Sequence, residues 1–235
     1  IALNEIANDT YAGVLDGQSL TTMAGGINVS AVQDGTISTV SAAASMGIGI
    51  GGAAGIAITG AGAVAKNTIN GNTTATVVGS TLDSAGTVTV EALSTSTISA
   101  TIAALSLAVG AGAGAGVGAA IGVSVAINQI GDWTSISDPT KAENDPLLTP
   151  TFHAGSSGGV RATMVNSDVE AAGTLKVHAA SSQTIDALVL AGAVALAGGT
   201  AGVGVAGGGV YTENMIGVFT EAAIKGASSA DKATI

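Results

Sequence analysis

One stretch of this sequence carries several acidic residues close together and could, by residue type, bind a cation. Asp132, Asp138 and Asp145, with Glu143 beside them, supply the carboxylate oxygens that Ca²⁺ prefers. Their spacing does not match the twelve-residue calcium loop, and the Gly-Gly-x-Gly-x-Asp calcium repeat is absent. The alternative is a solvated acidic loop, because clustered loop acids are usually hydrated. Asp132, Asp138 and Asp145 are therefore the calcium candidates, and no other cofactor is expected.

Acids and a histidine that recur 87 residues apart are the other candidates for chemistry. His178 follows Glu91 at that spacing, and strand alternation places both on a solvent face, so a surface role is favoured over zinc binding, which needs three or four ligands. Asp83 and Glu170 share the spacing, and each precedes an Ala-Gly pair in a predicted turn. Paired carboxylates hydrolyse glycosides when about 5–10 Å apart. We expect Asp83 and Glu170 to lie farther apart, as turn acids.

Gly112, Gly114 and Gly116 match the Gly-x-Gly-x-Gly pattern of some nucleotide-binding loops, but no predicted helix and no Lys-Ser/Thr follow them. We therefore interpret these glycines as structural. The formal net charge of -10, with only six scattered Lys and Arg residues, also argues against a nucleic-acid partner. The lack of cysteine excludes disulfides, thiol catalysis and cysteine metal sites.

Residues 105–127 (LSLAVGAGAGAGVGAAIGVSVAI) alternate strictly between apolar odd positions and Ser, Ala or Gly at even positions. A period of two predicts a β-strand with one aliphatic face and one nearly bare face. The bare face lets another backbone layer approach closely, and we expect the aliphatic face to point inward. Residues 92–131 contain no charge, yet the alternation and the missing Trp and Tyr belts argue against a stable membrane span.

An internal repeat is marked by the motif Asn-x-Ile at Asn4, Asn67, Asn128 and Asn214, with spacings of 63, 61 and 86 residues. We divide the single segment 1–235 into units 4–66, 67–127 and 128–213 and a partial unit 214–235. These four asparagines are assigned a structural role. Satisfying backbone groups at corners is favoured over a side-chain ladder, which needs adjacent rungs.

The last full unit is longer because it contains an insertion, residues 132–159, that departs from the repeat. All three prolines lie in it, together with Trp133, Phe152 and His153. Proline cannot donate to a strand ladder, so a loop is predicted. Because binding groups often lie on loops held by rigid scaffolds, Trp133, Phe152 and His153 form a candidate interaction loop.

Short strands, turn signals and no amphipathic helix predict an all-β fold, and the repeat predicts a β-solenoid with Gly/Ala-rich, closely packed strands. A repeat of 61–63 residues could hold about three rungs of roughly 20 residues. The glycine pairs Gly51-Gly52 and Gly198-Gly199 are expected at corners.

Residues 85–92 (AGTVTVEA), 94–98 (STSTI) and 116–130 (GVGAAIGVSVAINQI) resemble repeats of giant bacterial surface proteins of the filamentous haemagglutinin-like and leukotoxin-like adhesin type. The resemblance covers nearly the whole chain except the insertion. It implies an exported protein at the bacterial cell surface or in an extracellular fibre, built as a β-helical rod. The resemblance implies no catalytic residues in this chain.

The expected function is a non-catalytic stalk or fibre module of such an adhesin. The implied partners are neighbouring repeats, identical chains in a fibre or homo-oligomer, and a host or cell-surface glycan or protein. One alternative is a toxin-like segment that inserts its uncharged Gly/Ala runs into lipid. The other is a β-helical carbohydrate-active enzyme that uses Asp83, Glu170 and Asp186.

Overall fold

The computed structural model describes residues 1–131, 133–134, 151–152 and 159–226, and every regular element in these ranges is a β-strand. The all-β prediction is thus confirmed. The strands are β1 (Ala2–Ala7), β2 (Thr10–Leu15), β3 (Ser19–Thr22), β4 (Ile27–Gly51), β5 (Ala54–Asn70), β6 (Thr73–Val78), β7 (Thr81–Ser84), β8 (Val88–Gly112), β9 (Ala115–Gly131), β10 (Trp133–Thr134), β11 (Thr151–Phe152), β12 (Gly159–Val165), β13 (Asp168–Ala171), β14 (Leu175–Gly198), β15 (Ala201–Gly217) and β16 (Phe219–Lys225).

Parallel pairing joins these strands into four sheets, whose orders are β1-β5-β9-β15, β16-β12-β6-β2, β13-β7-β3 and β14-β8-β4. A separate antiparallel pair, β10-β11, sets Trp133 opposite Phe152. Within the four sheets each strand pairs with its counterpart in the next repeat, as when Val90 stands opposite Val29 and Val177. The offset of 87 that aligns residues 74–100 with 161–187 is the hydrogen-bonding register.

Each repeat therefore forms a single layer that contributes one strand to every sheet, and not the three rungs that its length could have held. The reason is strand length. β8 has 25 residues and β9 has 17, so two strands use most of a repeat of about 61 residues. Successive layers lie about 4.8 Å apart, the ordinary spacing of paired strands.

Tight turns at glycine reverse the chain between the two long strands of each layer. β4 ends at Gly51 and β5 begins at Ala54, and the third layer turns in the same way after Gly198. Gly199 has a φ of 144°, which residues other than glycine rarely adopt. The prediction that Gly51-Gly52 and Gly198-Gly199 mark corners is confirmed.

The core becomes thinner along the long strands towards the turn that joins them. Where they lie over the short strands, the buried side chains are large, including Val77, Leu82 and Met164. Farther along the long strands, towards the turn, the core consists of an isoleucine cluster and then of alanine clusters. Next to the turn the buried positions of β8 and β9 are glycine, such as Gly110 and Gly116. Because inward side chains shrink towards the turn, the two long sheets converge until their backbones touch.

Alternation in residues 105–127 is confirmed, but its polarity is the reverse of the expectation. Leu105 and Ile121 point outward with 55% and 60% of their surface exposed, whereas Ser106, Gly116 and Ala120 are buried. The bare faces of the two long sheets pack against each other, because only residues without a large side chain allow that separation. The aliphatic faces are left on the outside.

Candidate functional site

The four repeat asparagines form one continuous side-chain ladder across the layers. Each Nδ2 donates to the next Oδ1, over 2.8 Å from Asn4 to Asn67, 2.7 Å from Asn67 to Asn128 and 2.8 Å from Asn128 to Asn214. The two central members are completely buried. At the first step Thr39 adds a bond, because its Oγ1 donates to Oδ1 of Asn67 over 2.6 Å.

The ladder replaces the corner role that was favoured from sequence. One asparagine per repeat falls on adjacent strands because one repeat is one layer, and the backbone register sets Asn67 opposite both Asn4 and Asn128. Each central amide then satisfies both its donor and its acceptor inside the protein. A one-residue slip of the register would break the ladder, so it specifies strand alignment.

The three structural glycines lie at the turn between β8 and β9, where backbones approach closely. A Cβ on Gly112 would lie 2.3 Å from the carbonyl oxygen of Ala115, and one on Gly116 would lie 2.2 Å from that of Gly198. The N–H of Gly114 donates to Ala53 O over 3.0 Å, linking neighbouring layers. No side chain fits the spaces at Gly112 and Gly116, which accounts for glycine there.

We call the converging part of the long sheets the fin, defined as residues 40–64, 101–125 and 188–211. The fin contains no charged residue. Its interior hydroxyls are paired, since Oγ of Ser106 lies 2.7 Å from Oγ1 of Thr59, and Ser124 donates to Leu190 O over 2.6 Å. Both outer faces are aliphatic, and Ile50 and Ile58 are 82% and 78% exposed.

Sequence reasoning missed these outer faces as a surface, because it placed the aliphatic residues inside. One signal could have found them. Even positions of residues 105–127 contain too little side-chain volume to fill a core, yet they fit a direct backbone contact. No helix that could span a membrane occurs in the described ranges.

Asp83 and Glu170 stand directly opposite each other on β7 and β13, closer than expected, because their repeats are adjacent layers. Both are exposed on the outer side of four-residue strands. Asp186 belongs to another sheet, that of β14. The structure therefore brings two of the three candidate glycosidase acids together and leaves the third elsewhere.

A small charged cluster joins β8 to β14. Oε1 of Glu91 lies 2.9 Å from Nζ of Lys176 and 3.0 Å from Nδ1 of His178. The hydrogen bond from Lys176, followed by that from His178, lowers the pKa of Glu91 below its ordinary value. The expected surface position of Glu91 and His178 is confirmed, since both side chains point away from the core and are partly exposed.

The lowered pKa of Glu91 predicts acid-sensitive stability. A carboxylate whose pKa is depressed by folding stabilises the protein fully above its unfolded value, near 4.5, and the contribution disappears as the pH falls through the folded value. The Glu91→Gln variant should lose less than about 1 kcal/mol at pH 7, because Lys176 and His178 are about half exposed and solvent screens the ion pairs. The loss should be smaller at pH 3 than at pH 7, because protonation at low pH removes the charge of Glu91. Urea unfolding at both pH values measures this.

The control is Asp34→Asn, because Asp34 faces the neutral Thr95 on the neighbouring strand. An equal loss of stability in Glu91→Gln at pH 7 and pH 3 would contradict the electrostatic origin.

The insertion emerges between β9, which ends at Gly131, and β12, which begins at Gly159. The calcium candidates Asp132, Asp138 and Asp145 and the interaction candidate His153 lie outside the described residues. The backbones of Trp133 and Phe152 pair, which holds the two ends of the insertion together. In the described ranges no group of three or more His, Cys, Asp or Glu residues is placed to hold a metal ion.

Comparison of the chain with models of protein families, with curated proteins and with solved structures finds no match. The ladder, the fin and the register are therefore the features from which a function can be inferred.

Proposed function

We propose that this chain is a segment of a β-solenoid stalk or fibre of an exported bacterial surface adhesin, and that its role is mechanical and not catalytic. The observation that carries the proposal is the register. Each repeat adds one strand to each of four parallel sheets, so every layer offers the next repeat the same pairing edge. Such an arrangement extends by repetition, as a stalk requires.

The asparagine ladder supports the same proposal. Its members recur once per layer, and the amides at its ends, Asn4 and Asn214, keep bonding capacity for a further asparagine. A ladder that continues through more repeats resists sliding between layers, because sliding would leave buried amides unpaired. Resistance to sliding is the property that a load-bearing fibre needs.

Lengthened chains test the stalk proposal. Inserting ten extra copies of residues 67–127 after residue 127 should lengthen the particle by about 48 Å, at about 4.8 Å per layer. The cross-section should stay constant, because each copy adds one layer. Small-angle X-ray scattering measures both dimensions. A particle that grows equally in all directions would refute the stalk.

Surface location has its own test. Gold-labelled antibodies against the chain should bind intact producing cells. Labelling that appears only after permeabilisation would show that the protein stays inside the cell, and would refute the proposed location at the cell surface.

Insertion into lipid is the second candidate, and the observation that favours it is the uncharged fin with its exposed aliphatic faces. The open sheet edges oppose it. Unpaired N–H and C=O groups on the outermost strands of the fin would cost several kcal/mol each in hydrocarbon. The stalk therefore remains the proposal that the geometry supports best.

A further inference from the structure

The outer faces of the fin are large enough to form an interface. A strand segment of about 12 residues spans about 40 Å and three layers span about 14 Å, so each face covers about 570 Å². Two copies in contact would bury about 1,100 Å² in total, above the roughly 1,000 Å² of a biological interface. Each added repeat enlarges each face by about 190 Å². A longer stalk would therefore associate more strongly.

Large side chains fill the second and third outward rows from the turn, whereas the row beside the turn is sparse, with Ile50–Ala111–Gly198 on one face and Ala54–Ala115–Ala201 on the other. The register aligns equivalent residues across the three layers, and these tip rows are Met46–Leu107–Val194 and Ile48–Val109–Leu196 on one face and Ile56–Val117–Val203 and Ile58–Ala119–Val205 on the other. All but one of these positions carry an aliphatic side chain larger than alanine. The tip of the fin is therefore ridged on both faces.

The fourth and fifth outward rows from the turn are sparse. These base rows are Ala42–Ala103–Leu190 and Ala44–Leu105–Gly192 on one face and Gly60–Ile121–Gly207 and Gly62–Val123–Gly209 on the other. Each contains one large side chain among three positions. On the first face these rows line a shallow apolar groove bordered by Leu105 and Leu190. Each face therefore carries two filled rows next to two sparse rows, and its last row at the base is filled again, with Val40–Thr101–Leu188 on one face and Val64–Val125–Tyr211 on the other.

We propose that the fin is a self-association surface, on which a second copy of this chain lies antiparallel, with its tip rows over the base rows of the first. In that arrangement full ridges meet sparse furrows, which is the condition for close packing. The absence of charge in the fin removes any desolvation penalty from ionised groups. The inference rests on the proposed stalk function, since lateral contacts of this kind would bundle stalks into a fibre.

A second copy is favoured over lipid as the occupant. Lipid would have to cover the open strand edges of the fin, whereas a second copy covers the faces and leaves the edges to water or to the next repeat. The ridge-and-furrow relief also suits a partner of fixed shape better than fluid acyl chains. Both faces of the fin offer the same relief, so association can continue beyond two copies.

Two variants of the full chain test the proposal by sedimentation velocity over 1–100 μM. The triple variant Ile48→Thr, Val109→Thr and Leu196→Thr removes one tip row but keeps strand-favouring residues. The double variant Gly207→Val and Gly209→Val fills a furrow, and an added Cβ meets nothing within 4 Å at either position. Circular dichroism confirms that each variant is folded.

We expect the wild-type chain to form dimers or larger species in this range, and both variants to raise the dissociation constant at least tenfold. The furrow-filling variant is decisive, because a non-specific apolar contact would be strengthened by two valines. Tighter association of that variant would overturn the antiparallel arrangement. A wild-type chain that stays monomeric at 100 μM would overturn self-association.

Vesicles of phosphatidylcholine and phosphatidylglycerol form the second arm. A chain that is monomeric in buffer but releases dye from these vesicles would identify lipid as the occupant and overturn the proposal. The stalk itself is judged separately by the scattering of lengthened chains. Growth of about 4.8 Å per added layer with a monomeric wild type would sustain the stalk and refute only the interface.

Discussion

The Gly55→Ala variant is expected to lower the free energy of unfolding by about 3 kcal/mol, because the interior of the fin has no space for a methyl group. A Cβ at Gly55 would lie 2.0 Å from the carbonyl oxygen of Ala111 and 2.5 Å from that of Gly49. Both obstacles are backbone atoms of the facing sheet, in the next layer and in the same layer. Urea unfolding followed by circular dichroism measures the loss.

Gly60→Ala is the matched control, because the same substitution on the same strand falls on the outer face. The nearest atom to a Cβ at Gly60 is 3.9 Å away, in ordinary contact. Alanine there should leave the stability of the protein unchanged or raise it by about 0.5–1 kcal/mol, since glycine is unfavourable in the interior of a strand. Equal stability of the two variants would mean that the sheets do not pack through their bare faces.

The Asn128→Leu variant is expected to lose about 2 kcal/mol of stability, because it interrupts the ladder at a buried position. Leucine has the same branching as asparagine but larger terminal groups, so the change removes the hydrogen bonds and also adds some packing strain. Nδ2 of Asn67 would lose its acceptor at 2.7 Å and remain buried without a partner. Denaturant unfolding measures the effect, with an unchanged slope as evidence of an unchanged fold.

Two comparisons separate the ladder from the general effect of the substitution. Asn28→Leu alters an exposed asparagine on β4 and should change stability by less than about 0.5 kcal/mol. The double variant Asn67→Leu and Asn128→Leu should lose less than the sum of the single variants, because removing both partners leaves fewer unpaired groups. Strict additivity would argue against a bonded ladder.

Strand periodicity, the repeat and the turns could be read from the sequence because each depends on local residue order. The pair Gly51-Gly52 predicted a turn, and the offset between residues 74–100 and 161–187 identified equivalent residues, although their direct pairing on adjacent strands was not predicted. The equivalence of Glu91 and His178 placed both on one outer face, where they meet. These predictions needed only a period of two and a fixed spacing.

Which face is buried could not be read from the same pattern. Alternation at Leu105 and Ser106 defines two faces but does not say which one another sheet will cover. Burial of aliphatic groups favours one answer, whereas backbone contact across glycine and alanine favours the other, and in the fin the second arrangement occurs. The number of layers per repeat was also open, because nothing local reveals that β8 runs for 25 residues without a corner.

The insertion has an energetic consequence for a fibre built from such layers. Register resumes beyond it, since Val160 stands opposite Thr73 and Ile216 opposite Ile130. Closing a loop of 87 residues in place of 61 costs only about 0.3 kcal/mol more, because closure entropy grows with the logarithm of length. An even longer insertion at this junction would therefore leave the register of the layers unchanged at little cost.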